Sequence, residues 1–134
     1  MLSIDGNMQK TIAVDFDDTI CDSLFPDCGE PKKGVKEALQ KFRELGFLIL
    51  IHTCRTCHWH YNIFGGSRDI PTMERPAVVN MKEWLYKHQI PFDDIDDGSK
   101  GKPLADYYCD DKAIRFENNW DEIVKFVELR ESKQ

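Results

Sequence analysis

A chain of 134 residues with 18 basic and 24 acidic side chains carries a formal net charge of -6, a balance that disfavours nonspecific attraction to nucleic acid or to anionic lipid. Its 41% hydrophobic and 31% charged residues are those of a globular protein; the length suits one domain over residues 1–134 and not two, and no apolar run reaches the ~20 residues that span a bilayer. The opening MLSIDGNMQK has neither the basic region nor the apolar stretch of a secretory signal, so a cytoplasmic location is expected, with residues 1–9 disordered. Cys21, Cys28, Cys54, Cys57 and Cys109 are an odd number without an export signal and read as free thiols.

In chain order, Thr11 to Phe16 reads as a strand and ends in Asp15, Asp17 and Asp18. After a connection rich in Pro and Gly, Val35, Ala38, Leu39, Phe42 and Leu45 recur at helical spacing, with Gly46 to cap the helix. FLILIHT, Phe47 to Thr53, is a continuous apolar run of the kind buried on both faces of a parallel sheet. A polar and aromatic loop, residues 55–75, follows. Val78, Met81, Trp84, Leu85 and His88 mark a second helix, closed by Pro91; FDDID is a short strand, and Ala105 to Cys109 a further one that runs into Asp110 and Asp111. Asn119 with Glu122 resembles a capping box before a last helix whose Trp120, Ile123 and Val127 are expected in the core. This order predicts an α/β fold, a three-layer Rossmann-like domain with a mostly parallel central sheet.

In such sheets ligands bind at the carboxyl ends of the strands, and Asp15, Asp17, Thr53, Asp110 and Asp111 all fall on that edge. Side chains alternate, so Asp15 and Asp17 leave one side of the strand together. Clustered carboxylates repel unless a cation or a shared proton compensates. All-oxygen ligation suits Mg²⁺. Any one of these acids could be a solvated loop residue; two clusters at equivalent strand ends argue for a metal site.

Four segments then resemble the motifs of the haloacid dehalogenase superfamily, in the family's order: VDFDDTI, LILIHT, GKP and YYCDD. They span Thr11 to Asp111, and the segment from GKPLAD to CDDKAIRF is similar to small phosphatase-like members associated with capsule and phage genomes. The segments between motifs are too short for a separate cap domain, which makes the site open. The resemblance implies a Mg²⁺-dependent phosphomonoester hydrolase. Asp15 would be its nucleophile, forming an aspartyl phosphate, and Asp17 its general acid and base. Thr53 would bind the phosphoryl oxygens, and Lys102 would neutralise charge as the transition state develops. Mg²⁺ would be held by Asp15, Asp110, Asp111 and the main-chain carbonyl of Asp17, while Thr19 and the Asp18 amide would cradle the phosphate. Asp18 stands where the family commonly has Gly, and Lys100 competes with Lys102 for the third motif's role.

Arg55, two residues past Thr53, is a candidate for binding substrate. The loop over residues 55–75, with Trp59, Tyr61 and Arg68, would contact a small phosphorylated substrate: a sugar phosphate, a nucleotide, or a phosphorylated end of a larger molecule, the form in which nucleic acid could take part. Its apolar members could instead pack a homodimer. CRTCH, Cys54 to His58, fits a haem-attachment pattern, and with His52 and His60 a zinc site, but export and a second ligand pair are missing. Two rivals to a hydrolase remain open. A receiver-like phosphoacceptor would place its acidic pair first and its Lys last, whereas a noncatalytic metal-binding module would rest on Cys54, Cys57 and His58.

Overall fold

Ile12, Ala13 and Val14 are buried whichever face they point to, which only an interior strand with covered faces permits. In the computed structural model, which describes residues 9–57 and 70–133, the chain runs β1 (Thr11–Val14), β2 (Cys21–Leu24), β3 (Asp27–Pro31), α1 (Val35–Glu44), β4 (Leu48–Ile51), α2 (Pro76–Lys87), β5 (Asp94–Ile95), β6 (Tyr107–Cys109) and α3 (Trp120–Glu131). The main sheet has the order β5-β4-β1-β6, and all three pairings are parallel. Flanked by helices, it is the three-layer Rossmann-like α/β arrangement expected. Strand order reverses at β1, since the chain moves outward through β4 and β5 and returns to β1's other side with β6.

One apolar cluster fixes this frame. Ile12, Val14 and Phe16 from one face of the first strand meet Ile49 and Ile51 of β4, Leu39 of α1, and Val78, Met81, Trp84 and Leu85 of α2. α1 ends where Gly46, at φ 94°, turns the chain and donates its N–H to the Arg43 carbonyl, a conformation that favours glycine. α2 begins with Pro76 at its first position, where the missing N–H costs no helical bond.

A segment read from sequence as a plain connection is an antiparallel hairpin, β2 with β3. The indole Nε1 of Trp84 donates to the Gly29 carbonyl at 2.9 Å, and the Phe16 ring meets the Trp84 ring edge-on at 5.3 Å. Gly29 is required there, because a Cβ would stand 2.4 Å from the Asp22 carbonyl oxygen.

The last helix departs from expectation. Trp120 is 69% exposed and Val127 44% exposed, Ile123 is half-buried, and no residue of α3 is buried, so these three are not core. The cause is the sheet's edge: every residue of β6 is exposed, and a helix cannot bury an apolar stripe where no sheet face is offered. The capping box is also altered. The Asn119 side chain accepts from the Glu117 N–H and donates to the Glu122 carboxylate, with no bond to the helix's own first-turn N–H groups. Residues 1–8 and 58–69 lie outside the described residues, and with them most of the predicted disordered start and of the substrate loop, including His58, Trp59, His60, Tyr61 and Arg68. Among the described residues no helix is long and apolar enough to cross a membrane.

Candidate active site

Parallel pairing aligns the ends of three strands. The Asp15 N–H donates to the Cys109 carbonyl and the His52 N–H to the Val14 carbonyl, each at 2.9 Å. Asp15, the residues after β4, and Asp110 are thereby fixed side by side. One carboxylate oxygen each from Asp15, Asp110 and Asp111 can lie within 4.8 Å of one another. Burial, a hydrogen bond with Asp111 and the charges of Asp110 and Asp111 push the Asp15 carboxyl up to about 7. Asp15 therefore holds its proton more tightly than an isolated carboxylate does. Such a set of hard oxygen donors fits Mg²⁺, whose charge would replace that proton. Thr19 directs its hydroxyl to Asp15 Oδ2 at 3.4 Å, and so belongs to the same cluster.

The turn beyond Asp15 departs from the usual backbone. Asp18 sits at φ 63°, left-handed territory that glycine enters freely and that Asp tolerates better than most residues. Two bonds hold it there: its N–H donates to the Cys21 carbonyl at 2.7 Å, and its Oδ1 accepts from the Ser23 N–H at 3.0 Å. The Asp18 carboxylate therefore points to the hairpin and is absent from the cluster of Asp15, Asp110 and Asp111.

Thr53 is buried, and its Oγ1 accepts from the Arg55 N–H at 3.2 Å, starting a single 3-10 turn at Cys54–Thr56. The hydroxyl's own proton remains to be donated. Arg55 does not act as expected. Its side chain is 0% exposed, and its five N–H donors make five hydrogen bonds: Nε and Nη2 to the two oxygens of Asp17, Nη1 to the carbonyls of Pro26 and Ala77, and Nη2 to the carbonyl of Asp27. The guanidinium also lies 5.1 Å from the Phe16 ring centre and 5.2 Å from that of Phe25. With every donor occupied, Arg55 has none left for a substrate phosphate.

Lys102 is absent from the cavity of Asp15 and Asp17. Its ammonium lies 4.5 Å from the centre of the Tyr108 ring, and it lines a second cavity, with His52, Tyr108 and Asp110, that includes neither Asp15 nor Asp17. Lys100's charge falls on Asp97, whose carboxyl is held low mainly by hydrogen bonds from Ser99. The lysine in the cavity of Asp15 and Asp17 is Lys112, which shares about 450 Å³ with those two acids, Ser23, Phe25, Cys54 and Arg55. Its N–H donates to Asp110 Oδ1 at 2.8 Å, and among the described residues its ammonium has no ion-pair partner. Lys112 and the hairpin residues Ser23 and Phe25 were missed in the sequence; the available signal was a lysine directly after the paired acids. All five cysteines are free, and burial raises the Cys54 thiol. His52 lies 3.5 Å from Asp96 and outside this cavity. A larger cavity of about 700 Å³ lies between α1 and the end of α2 and contains none of the strand-end acids.

The chain matches no protein-family profile and no curated protein. It is similar in structure to a conserved protein from Bacteroides thetaiotaomicron, with a TM-score of 0.58 and 20% identity over 92% of this chain and 93% of that one. It is also similar to a crystal structure of a Vibrio cholerae target, with a TM-score of 0.51 and 28% identity over 90% of this chain and 98% of that one. Both likenesses run the length of the domain and concern its fold.

Proposed function

We propose that the protein is a Mg²⁺-dependent phosphomonoester hydrolase of the haloacid dehalogenase type, acting in the cytoplasm on a small phosphorylated substrate. The observation that carries this reading is the meeting of Asp15 with Asp110 and Asp111 at one strand edge, beside a cavity that Asp17 also lines. An Asp15 oxygen attacks phosphorus as the bond to the leaving oxygen breaks, and that oxygen departs with the electron pair and takes a proton from Asp17. Asp17 reaches the cavity, its side chain being 23% exposed, and the proton it gives up is the one it takes from water in the second half of the preceding cycle, carried on an oxygen lone pair that its bond to Arg55 leaves free. In the second half Asp17 takes a proton from water as the water oxygen attacks the phosphorus of the aspartyl phosphate, and Asp15 is released. The Thr53 hydroxyl and the Lys112 ammonium meet the phosphoryl oxygens. Mg²⁺, held by Asp15, Asp110, Asp111 and the Asp17 carbonyl, would supply charge neutralisation to the carboxylates and the phosphoryl group.

The test is phosphate release from p-nitrophenyl phosphate with and without Mg²⁺. Turnover is expected only with the metal, and Asp15→Asn should lower kcat by at least about 10³-fold while the circular dichroism spectrum is unchanged. Lys112→Ala should lower kcat by about 10²-fold and Lys102→Ala by far less. A protein that releases no phosphate from any ester in a broad panel is not this hydrolase; one that keeps turning over as Asp15→Asn uses another nucleophile.

A further inference from the structure

We propose that Arg55 is a positioning residue for the reaction, binding the Asp17 carboxylate and the β2–β3 hairpin into one unit so that the hairpin's seat fixes the aim of the acid–base group. The inference rests on the hydrolase reading for its catalytic half and on geometry for its mechanical half. Two parallel bonds, 2.9 Å from Nε to Oδ2 and 2.8 Å from Nη2 to Oδ1, fix the plane of the carboxylate as well as its position. Only a guanidinium offers that fork. The remaining donors reach the Pro26 carbonyl at 2.8 Å in the hairpin's turn, the Asp27 carbonyl at 2.7 Å at the start of β3, and the Ala77 carbonyl at 2.8 Å in the first turn of α2. Asn80 braces the same turn from α2, through the Pro26 carbonyl at 3.2 Å and the Asp27 carboxylate at 3.3 Å. The Phe25 ring lies against the guanidinium and on the wall of the cavity that holds Asp15, so a shift of the turn displaces cavity wall and carboxylate together.

Stability alone is a poor reason for this arrangement. A buried ion pair contributes little net stability compared with apolar side chains of similar volume, and this site already has Phe16 and Phe25 at hand to pack with them. Aim is different, because an error of about 1 Å at a reacting group costs on the order of 10²-fold in rate. Asp17 lies three residues past the end of β1, at the mouth of a turn, and it is Arg55 that grips both oxygens of its carboxylate.

The experiment uses the full chain with saturating Mg²⁺ and p-nitrophenyl phosphate, comparing Arg55→Lys, Asp17→Asn, the double variant and Asn80→Ala. Arg55→Lys should lower kcat by about 10²-fold with KM nearly unchanged and with the Mg²⁺-induced rise in Tm retained. A lysine keeps the charge and loses the fork, so failure of this conservative change to rescue turnover separates aim from charge. The double variant should be no slower than Asp17→Asn, since Arg55 acts through Asp17. Asn80→Ala, which loosens the turn without touching either partner, should lower kcat a few-fold, and it keeps the proposal testable if Arg55→Lys does not fold. A raised KM with unchanged kcat in Arg55→Lys, or losses that add in the double variant, overturns the proposal and leaves the hydrolase standing. Hydrogen exchange of the hairpin amides, residues 21–31, supplies the second measurement: it should quicken in both Arg55→Lys and Asp17→Asn. If the wild type hydrolyses no ester, the hydrolase reading fails, the catalytic half falls with it, and the exchange result decides the mechanical half; a hairpin indifferent to Asp17→Asn overturns that too.

Discussion

Residues 12–91 and residues 104–131 contribute to one site while being held in place by different forces. Among the described residues, every buried apolar one lies between Ile12 and Pro91. In the later stretch Leu104 is 96% exposed, Trp120 69% and Leu129 62%. The first region brings Asp15, Asp17 and Arg55, and the second brings Asp110, Asp111 and Lys112. What holds β6 is backbone pairing with its neighbour: it is in register with β1 from Ile12↔Tyr107 to Val14↔Cys109, and Thr11 and Asp106 exchange bonds at the start of the strand, Thr11 N–H to Asp106 Oδ2 at 2.8 Å and Asp106 N–H to the Thr11 carbonyl at 2.9 Å. A strand can therefore place carboxylates accurately while burying little apolar surface.

That contrast can be broken most sharply by truncating the core. Leu85→Ala, at a position with no exposure, should cost about 2–5 kcal/mol of unfolding free energy in urea. A loss below about 1 kcal/mol would mean that the first region is not the stabilising one.

A middle-sized effect concerns the metal, which would tie the two regions together. The Asp15 carboxyl, ordinarily near 3.8, is pushed up to about 7 in the fold. Between those values the native chain holds a proton that the unfolded chain has released. This contribution to stability is present in full below about pH 4 and is lost as the pH rises through about 7. Metal-free protein should therefore show a falling Tm over that range, and the slope should weaken in Asp15→Asn. Mg²⁺ bound at Asp15 would replace the proton, so the rise in Tm it produces should grow with pH over the same interval. Melting curves at several pH values with and without Mg²⁺ check this; a Mg²⁺ increment independent of pH would detach the metal from Asp15.

The smallest effect is expected in α3. Val124 is 53% exposed, and Val124→Ala should change stability by less than about 0.5 kcal/mol. A loss comparable to that of Leu85→Ala would show that another surface covers this helix in solution.

These regions also differed in how far the sequence revealed them. TIAV and LILI, followed by Asp15 and Thr53, disclosed both interior strands and the working edge, because a short, continuous apolar run that stops at polar residues is the pattern of a strand covered on both faces. The hairpin was hidden. Cys21 to Pro31 is mostly exposed, so it lacks an apolar alternation, and its partner Trp84 is 55 residues away. α3 misled for the converse reason: an apolar stripe records that a helix has a side to bury and says nothing of whether a sheet face is there to receive it. Lys102 and Lys112 could not be ranked by spacing, since the direction of a lysine depends on local contacts such as the Tyr108 ring. The place of Arg55 was legible, but three of its five acceptors are main-chain carbonyls, which no side-chain pattern reports.

Those carbonyls bear on how the protein can diverge. An acceptor that belongs to the backbone is present whatever residue occupies the position, so Pro26, Asp27 and Ala77 can be exchanged for other residues and still receive the guanidinium, provided the chain keeps its path. Mutational drift at the hairpin turn is thus separated from drift at the strand-end carboxylates. The lip of the cavity, with Phe25 on it, can be recast for a different ligand one residue at a time, while Arg55 and Asp17 stay as they are.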